Sequence, residues 1–162
     1  MATPTQRRHL ARLAEYLNHK AEQVLYAEVR PMSTTHLTES QLHDRLDSGR
    51  TITTDCSETV TLMFRLAGLR DPNGLRYDGE GYTGTMLAHL EHFTRWDEVH
   101  AGTLIVFGHY PGTHVVMVTH PDGDNPIIYS HGSHARSAIW DLATERKYHE
   151  GQPITLLAIA DL

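Results

Sequence analysis

The hydrophobic period of this chain changes once, between residues 93 and 102, and that change limits the folds it can reach. Before it, apolar side chains recur at helical spacing. After it, they come in short β-branched runs separated by turn residues. Helices first and an antiparallel meander second predict an α+β fold, with N-terminal helices packed on a C-terminal antiparallel sheet. With 162 residues and no evident linker or repeat, the chain is expected to form one domain, 1–162, large enough to bury a core without covalent staples.

The helical half carries its own punctuation. Thr3-Pro4-Thr5-Gln6 has the form of a capping box with proline in the first turn. Leu10, Leu13, Leu17, Ala21, Val24 and Leu25 follow at helical spacing, predicting a helix over 4–28 that Pro31 ends. It is expected to pack one stripe on a core spanning 38–160. Its polar face mixes Arg7, Arg8, Arg12 and Lys20 with Glu15 and Glu22, which disfavours a membrane-surface role. A second capping box, Thr38 to Gln41, opens a short helix that Gly49 can stop. Thr51 to Thr54 is a β-branched approach into Asp55-Cys56-Ser57, where a third helix runs to Gly68. Residues 70–84 hold Asp71-Pro72-Asn73-Gly74, Asp78-Gly79 and Gly81 and predict a long loop, and 83–93 can form a fourth helix. Strands are predicted over 102–107, 114–119, 127–131 and 154–159.

Composition excludes several function classes. The formal charge is −6 and no basic stripe appears, so no nucleic-acid partner is expected. No stretch approaches the ~18 apolar residues of a membrane span, and the start lacks the apolar run of a signal peptide. The chain is therefore expected to be made in the cytoplasm, without a membrane partner. One cysteine precludes an internal disulfide and a cysteine-rich zinc site. His131 and His134, with His109 and His120 nearby, could suggest a metal pair. No Asp or Glu completes a recognisable site there, so no metal or cofactor is assigned.

That lone cysteine is placed where chemistry is possible. Asp55 is a natural N-cap, which puts Cys56 in the first turn of a helix. Unpaired N–H groups and a partial positive charge there favour a thiolate, and the same N–H groups can hold an oxyanion. A thiolate needs a proton acceptor, and His114 opens a predicted strand just after Pro111-Gly112-Thr113. A third group should orient its imidazole. The next strand offers Ser130 and His131, which point to opposite faces, so one of them fills that role.

Asp55-Cys56-Ser57-Glu58-Thr59-Val60, Gly102-Thr103-Leu104, Gly112-Thr113-His114-Val115 and His131-Gly132-Ser133, in that order, resemble the NlpC-like cell-wall cysteine peptidases. The loop from Asp71 to Thr85 resembles the peptidase domains of phage endolysins more specifically. The resemblance implies a papain-like fold, cleavage of peptidoglycan stem peptides, and no metal or cofactor. It maps Cys56 to the nucleophile, His114 to the base and His131 to the orienting residue. Asp55, Ser57, Tyr82 and Ser130 are then candidates for substrate contact. Glu58 stands where the family has glycine and Thr103 where it has aspartate, so Glu58 is expected to put a charge beside the nucleophile. The tyrosine usual upstream of the cysteine has no counterpart in the approach segment, and Tyr26 is distant along the chain.

The resulting expectation is a monomeric peptidoglycan endopeptidase of phage-lysin type that reaches the wall through another factor or as part of a virion. Two alternatives use the same sequence differently. Amine capture of the thioester would give an amidase or transferase. Loss of activity would leave a virion or cell-wall binding module.

Overall fold

The fold is described from a computed structural model over residues 2–132 and 136–159. Ser133 and His134, named in the motif and in the metal reading above, lie outside the described residues.

The first helix, α1 (Pro4–His19), begins with the expected box: the Gln6 N–H donates to Thr3 Oγ1 and the Thr3 N–H to Gln6 Oε1. Leu10, Leu13, Ala14 and Leu17 form its buried stripe. The helix does not continue to residue 28. A 3₁₀ turn over Ala21–Gln23 leads into strand β1 (Val24–Tyr26), which pairs in parallel with β2 (Ile52–Thr54). Leu25 and Tyr26 are exposed, so their spacing only continued a helical stripe by coincidence. The backbone pairing available from Ile52 to Thr54 decides the local structure. Between the two strands, α2 (Glu39–Asp47) opens with the second capping box.

Helix α3 (Cys56–Leu66) starts directly from β2 and is the most deeply buried helix; its residues 56–64 are all buried. The loop after it is built on one carboxylate. Asp71 Oδ1 accepts the Asn73 N–H, and Oδ2 accepts the N–H groups of Leu75 and Tyr77. Asn73 then bonds both Thr61 and Thr85, tying the loop to α3 and to α4 (Thr83–His89). Helix α4 stops before the expected residue 93. Leu90 turns extended, His92 Nε2 donates to the Leu87 carbonyl, and His92–Phe93 forms β3 on the edge of the main sheet.

That sheet runs β3-β8-β4-β5-β6-β7, from β4 (Leu104–Phe107), β5 (His114–His120), β6 (Ile127–His131), β7 (Ser137–Asp141) and β8 (Ile154–Leu157). Strands β4 to β7 form the expected antiparallel meander, and β8 returns to pair with β4 on the other side. Both faces are covered. Leu104, Val106, Val115, Met117 and Tyr129 pack against the helices, chiefly α1 and α3. Ile105, Phe107, Val116, Val118 and Ile128 pack on the opposite face with Leu142 from a short fifth helix, α5 (Leu142–Arg146). Strand β7 and α5 had no distinct signal in the sequence. Among the described residues, no helix is long and apolar enough to cross a membrane.

Candidate active site

Cys56 occupies the first position of α3 because Asp55 caps that helix. Asp55 Oδ1 accepts the Glu58 N–H at 2.8 Å and the Ser57 hydroxyl at 3.0 Å. Its other oxygen pairs with Arg30 Nη2 at 2.9 Å, and the same nitrogen donates to Ser57 Oγ. Arg30 also donates through Nε to the Gly81 carbonyl, one residue before Tyr82. Asp55 and Ser57 are therefore buried members of a network that fixes the helix start. Tyr82 is partly exposed, and its hydroxyl pairs with that of exposed Tyr110. Thr83 Oγ1 bonds the Pro111 carbonyl, joining this rim to the turn that leads into His114.

His114 is buried at the first residue of β5, within hydrogen-bonding reach of the Cys56 thiol. Burial alone would lower its pKa. Hydrogen bonds and opposite charge at Cys56 and Glu145 outweigh that burial and push it up to about 9. The surroundings therefore favour the protonated, cationic ring of His114.

The group that meets the other side of the ring is decided by strand parity. Met117 pairs with Tyr129, so Ser130 shares the sheet face of His114 and His131 faces the opposite side. His114 Nε2 is 2.9 Å from Ser130 Oγ and 3.2 Å from Glu145 Oε1. The Ser130 hydroxyl donates in turn to Glu145 Oε1. His131 does not bond His114; its Nε2 donates to the carbonyls of Thr54 at 3.0 Å and Leu25 at 3.3 Å. The side chains that meet His114 Nε2 are therefore Ser130 and Glu145, and the contact expected from His131 is not made. Burial keeps His131 below the ordinary imidazole range, which suits a neutral ring that clamps β1 and β2.

Glu145 is fully buried and was not singled out from the sequence. It also accepts from Trp140 Nε1 at 3.0 Å and lies 3.5 Å from His149 Nε2. His149 stacks between Phe107 and His114. Among the described residues, His114, Glu145 and His149 form the one group whose ligand atoms could converge on a metal, all within 4.8 Å. The two rings stack 14° from parallel, and the Nε2 atoms of both lie within 3.5 Å of the same oxygen, Glu145 Oε1.

Tyr26 completes the site from β1. Its hydroxyl lies within hydrogen-bonding reach of both the thiol and the backbone N–H of Cys56; burial, with the negative charge of Cys56 and Asp55, pushes its pKa up to about 12. Pairing of Tyr26 with Thr54 brings it there, so the structure supplies a tyrosine that the approach segment lacks. Its ring packs edge-on against His131, and Gly132 leaves room for it: a Cβ at 132 would fall 2.3 Å from the ring. Glu58, expected to place a charge beside the nucleophile, is buried against Thr34 instead. Its Oε2 accepts the Thr34 hydroxyl at 2.8 Å.

No family model and no curated protein matches the sequence. Solved structures that share its fold include NlpC2 and NlpC1, both from Trichomonas vaginalis. Each is 12% identical with a TM-score of 0.56, over 96% and 97% of this chain respectively. The chain spans about half the length of these proteins, 48% and 45%. The likeness shows an α+β, papain-like fold of the NlpC type.

Proposed function

We propose that this chain is a cysteine peptidase that cleaves peptide bonds in the stems of bacterial peptidoglycan. The observation that carries the reading is the meeting of Cys56, His114 and the Tyr26 hydroxyl at the N-terminus of α3. The NlpC-like fold and the sequence motif around Cys56 support the choice of substrate, and the endolysin-like loop supports a phage lysin, acting alone or within a virion.

The Cys56 thiolate attacks the scissile carbonyl. The oxyanion that forms faces the Cys56 N–H and the Tyr26 hydroxyl. With Nε2 of His114 engaged by Ser130 and Glu145, Nδ1 is the nitrogen that serves the thiol. The imidazolium protonates the departing amine, leaving a thioester. Neutral His114 then takes a proton from water as the water attacks, and keeps it as the thiolate leaves and the acid is released, so that the starting charge state is restored.

The test is digestion of purified cell walls by the wild-type chain and by Cys56→Ala, read by mass spectrometry of the released fragments. Hydrolysis by the wild type alone is expected. Equal release by both proteins, or none by the wild type on walls of either Gram class, overturns the reading. Products carrying an added amine in place of water would indicate a transferase.

A further inference from the structure

The geometry points to Glu145 as the positioning residue of the Cys56–His114 pair, acting on the ring directly and through the hydroxyl of Ser130. This inference rests on reading Cys56 as nucleophile and His114 as base. The sequence resemblance puts that role on the strand next to His114, at His131. Here the strand position on the correct face is a serine, whose neutral hydroxyl reaches the ring but brings no charge to it. The carboxylate comes instead from α5, beyond the next strand.

Several contacts hold Glu145 in place. Asp141 caps α5 by accepting the Thr144 N–H, and Asn125 bonds both Asp141 and the Ala143 N–H. Leu142 anchors the helix in the core of the far sheet face. Glu145 Oε2 accepts from Trp140, which leaves Oε1 toward His114 and Ser130. The chain of donors runs in one direction. His114 Nε2–H donates to Ser130 Oγ and to Glu145, and the Ser130 O–H donates to the same carboxylate. That direction fixes the Nε2-protonated ring and leaves Nδ1 for the thiol. Among the described residues, the titratable groups around the ring are Cys56 on α3, Glu145 on α5, His149 after it, and His131 on β6.

The experiment follows the His114 ring itself by ¹⁵N-imidazole NMR titration in the wild type, Glu145→Gln, Ser130→Ala and His131→Asn. Cell-wall cleavage is measured on the same samples. The wild type is expected to show a proton on Nε2 through neutral pH. Glu145→Gln, which keeps the shape and the acceptor toward Trp140, is expected to lower the His114 midpoint by at least about one pH unit, a tenfold change in ring protonation. Ser130→Ala is expected to move it in the same direction by less, and His131→Asn to leave it in place. An unchanged midpoint in both Glu145→Gln and Ser130→Ala overturns the inference, as does a neutral wild-type ring, read above its midpoint, that keeps its proton on Nδ1 rather than Nε2. Should Glu145→Gln fail to fold, Ser130→Ala and the wild-type tautomer still decide it. A shifted midpoint without wall cleavage by the wild type would sink the proposed substrate and leave the role of Glu145 standing.

Discussion

His131 Nε2 donates to the carbonyl of Thr54 at 3.0 Å, two residues before Cys56. The same nitrogen reaches the Leu25 carbonyl, so one ring ties together the two short strands that deliver Tyr26 and Cys56. A neutral ring suffices for this, and burial keeps it neutral. His131→Ala is expected to cost about 1–3 kcal/mol in urea unfolding, the usual loss when buried acceptors are stranded. Because the folded ring binds its proton less readily than the unfolded one, this site favours the folded state above the unfolded value of about 6.5. That contribution is lost as pH falls from there through the lowered folded value. A variant as stable as the wild type would remove the clamp.

His114 has the opposite sign. Its pKa is raised to about 9, so its favourable contribution is complete below the ordinary imidazole value of about 6.5 and is lost as pH rises through about 9. Loss of the imidazolium also removes the acid that protonates the leaving amine. kcat/KM for wall-peptide cleavage is therefore expected to hold from neutrality to about 9 and to fall beyond it with the loss of one proton. A decline centred near pH 7 would show that Glu145 and Cys56 do not hold the ring charged.

The sequence disclosed Cys56 and His114 because both are marked by local signals: an N-cap before a helix, and a turn before a β-branched run. It also disclosed that Ser130 and His131 exclude each other. Which of them shares a face with His114 depends on the register of β5 against β6, and that pairing shifts between Val118 and His120. An irregularity of one residue reverses the parity. Glu145 was hidden for another reason: a five-residue helix is too short to display a period. Tyr26 was hidden because Val24 and Leu25 prolong a helical spacing, and only parallel pairing with β2 turns that segment toward the cysteine.

Tyr26→Phe removes one hydroxyl and little else. If that hydroxyl holds the oxyanion with the Cys56 N–H, kcat is expected to fall on the order of 10²-fold with KM little changed. Steady-state kinetics on a soluble stem peptide would read this. A rise in KM at constant kcat would mean that the tyrosine binds substrate without serving the transition state.

Gly132→Ala tests the same tyrosine from behind. Gly132 has φ +109°, and its Cβ would fall 2.3 Å from the Tyr26 ring. The ring must move or the backbone must shift, and either carries the hydroxyl away from Cys56. Activity is expected to drop at least as far as in Tyr26→Phe, with a lower melting temperature as well. Unchanged kinetics would show that the position of Tyr26 is not critical.

Glu58 is the clearest departure from the family pattern, and its consequence is one of stability. The residue is fully buried; Thr34 donates to Oε2 from its hydroxyl and its N–H, while Oε1 has no partner among the described residues. Burial, with the charge of Asp55 adding to it, raises its pKa above the ordinary carboxylate range. The unfolded chain then loses this proton more readily than the folded one. Stability therefore falls as pH rises from about 4.3 through the raised folded value, and stays reduced above it. Glu58→Gln keeps a carbonyl oxygen for Thr34 and carries no charge. It is expected to be more stable than the wild type by about 1 kcal/mol at pH 7, with the gap closing below about pH 4. Urea unfolding at both pH values measures this directly. A less stable variant at pH 7, or an equal gap in acid, would mean that the folded protein stabilises the ionised carboxylate.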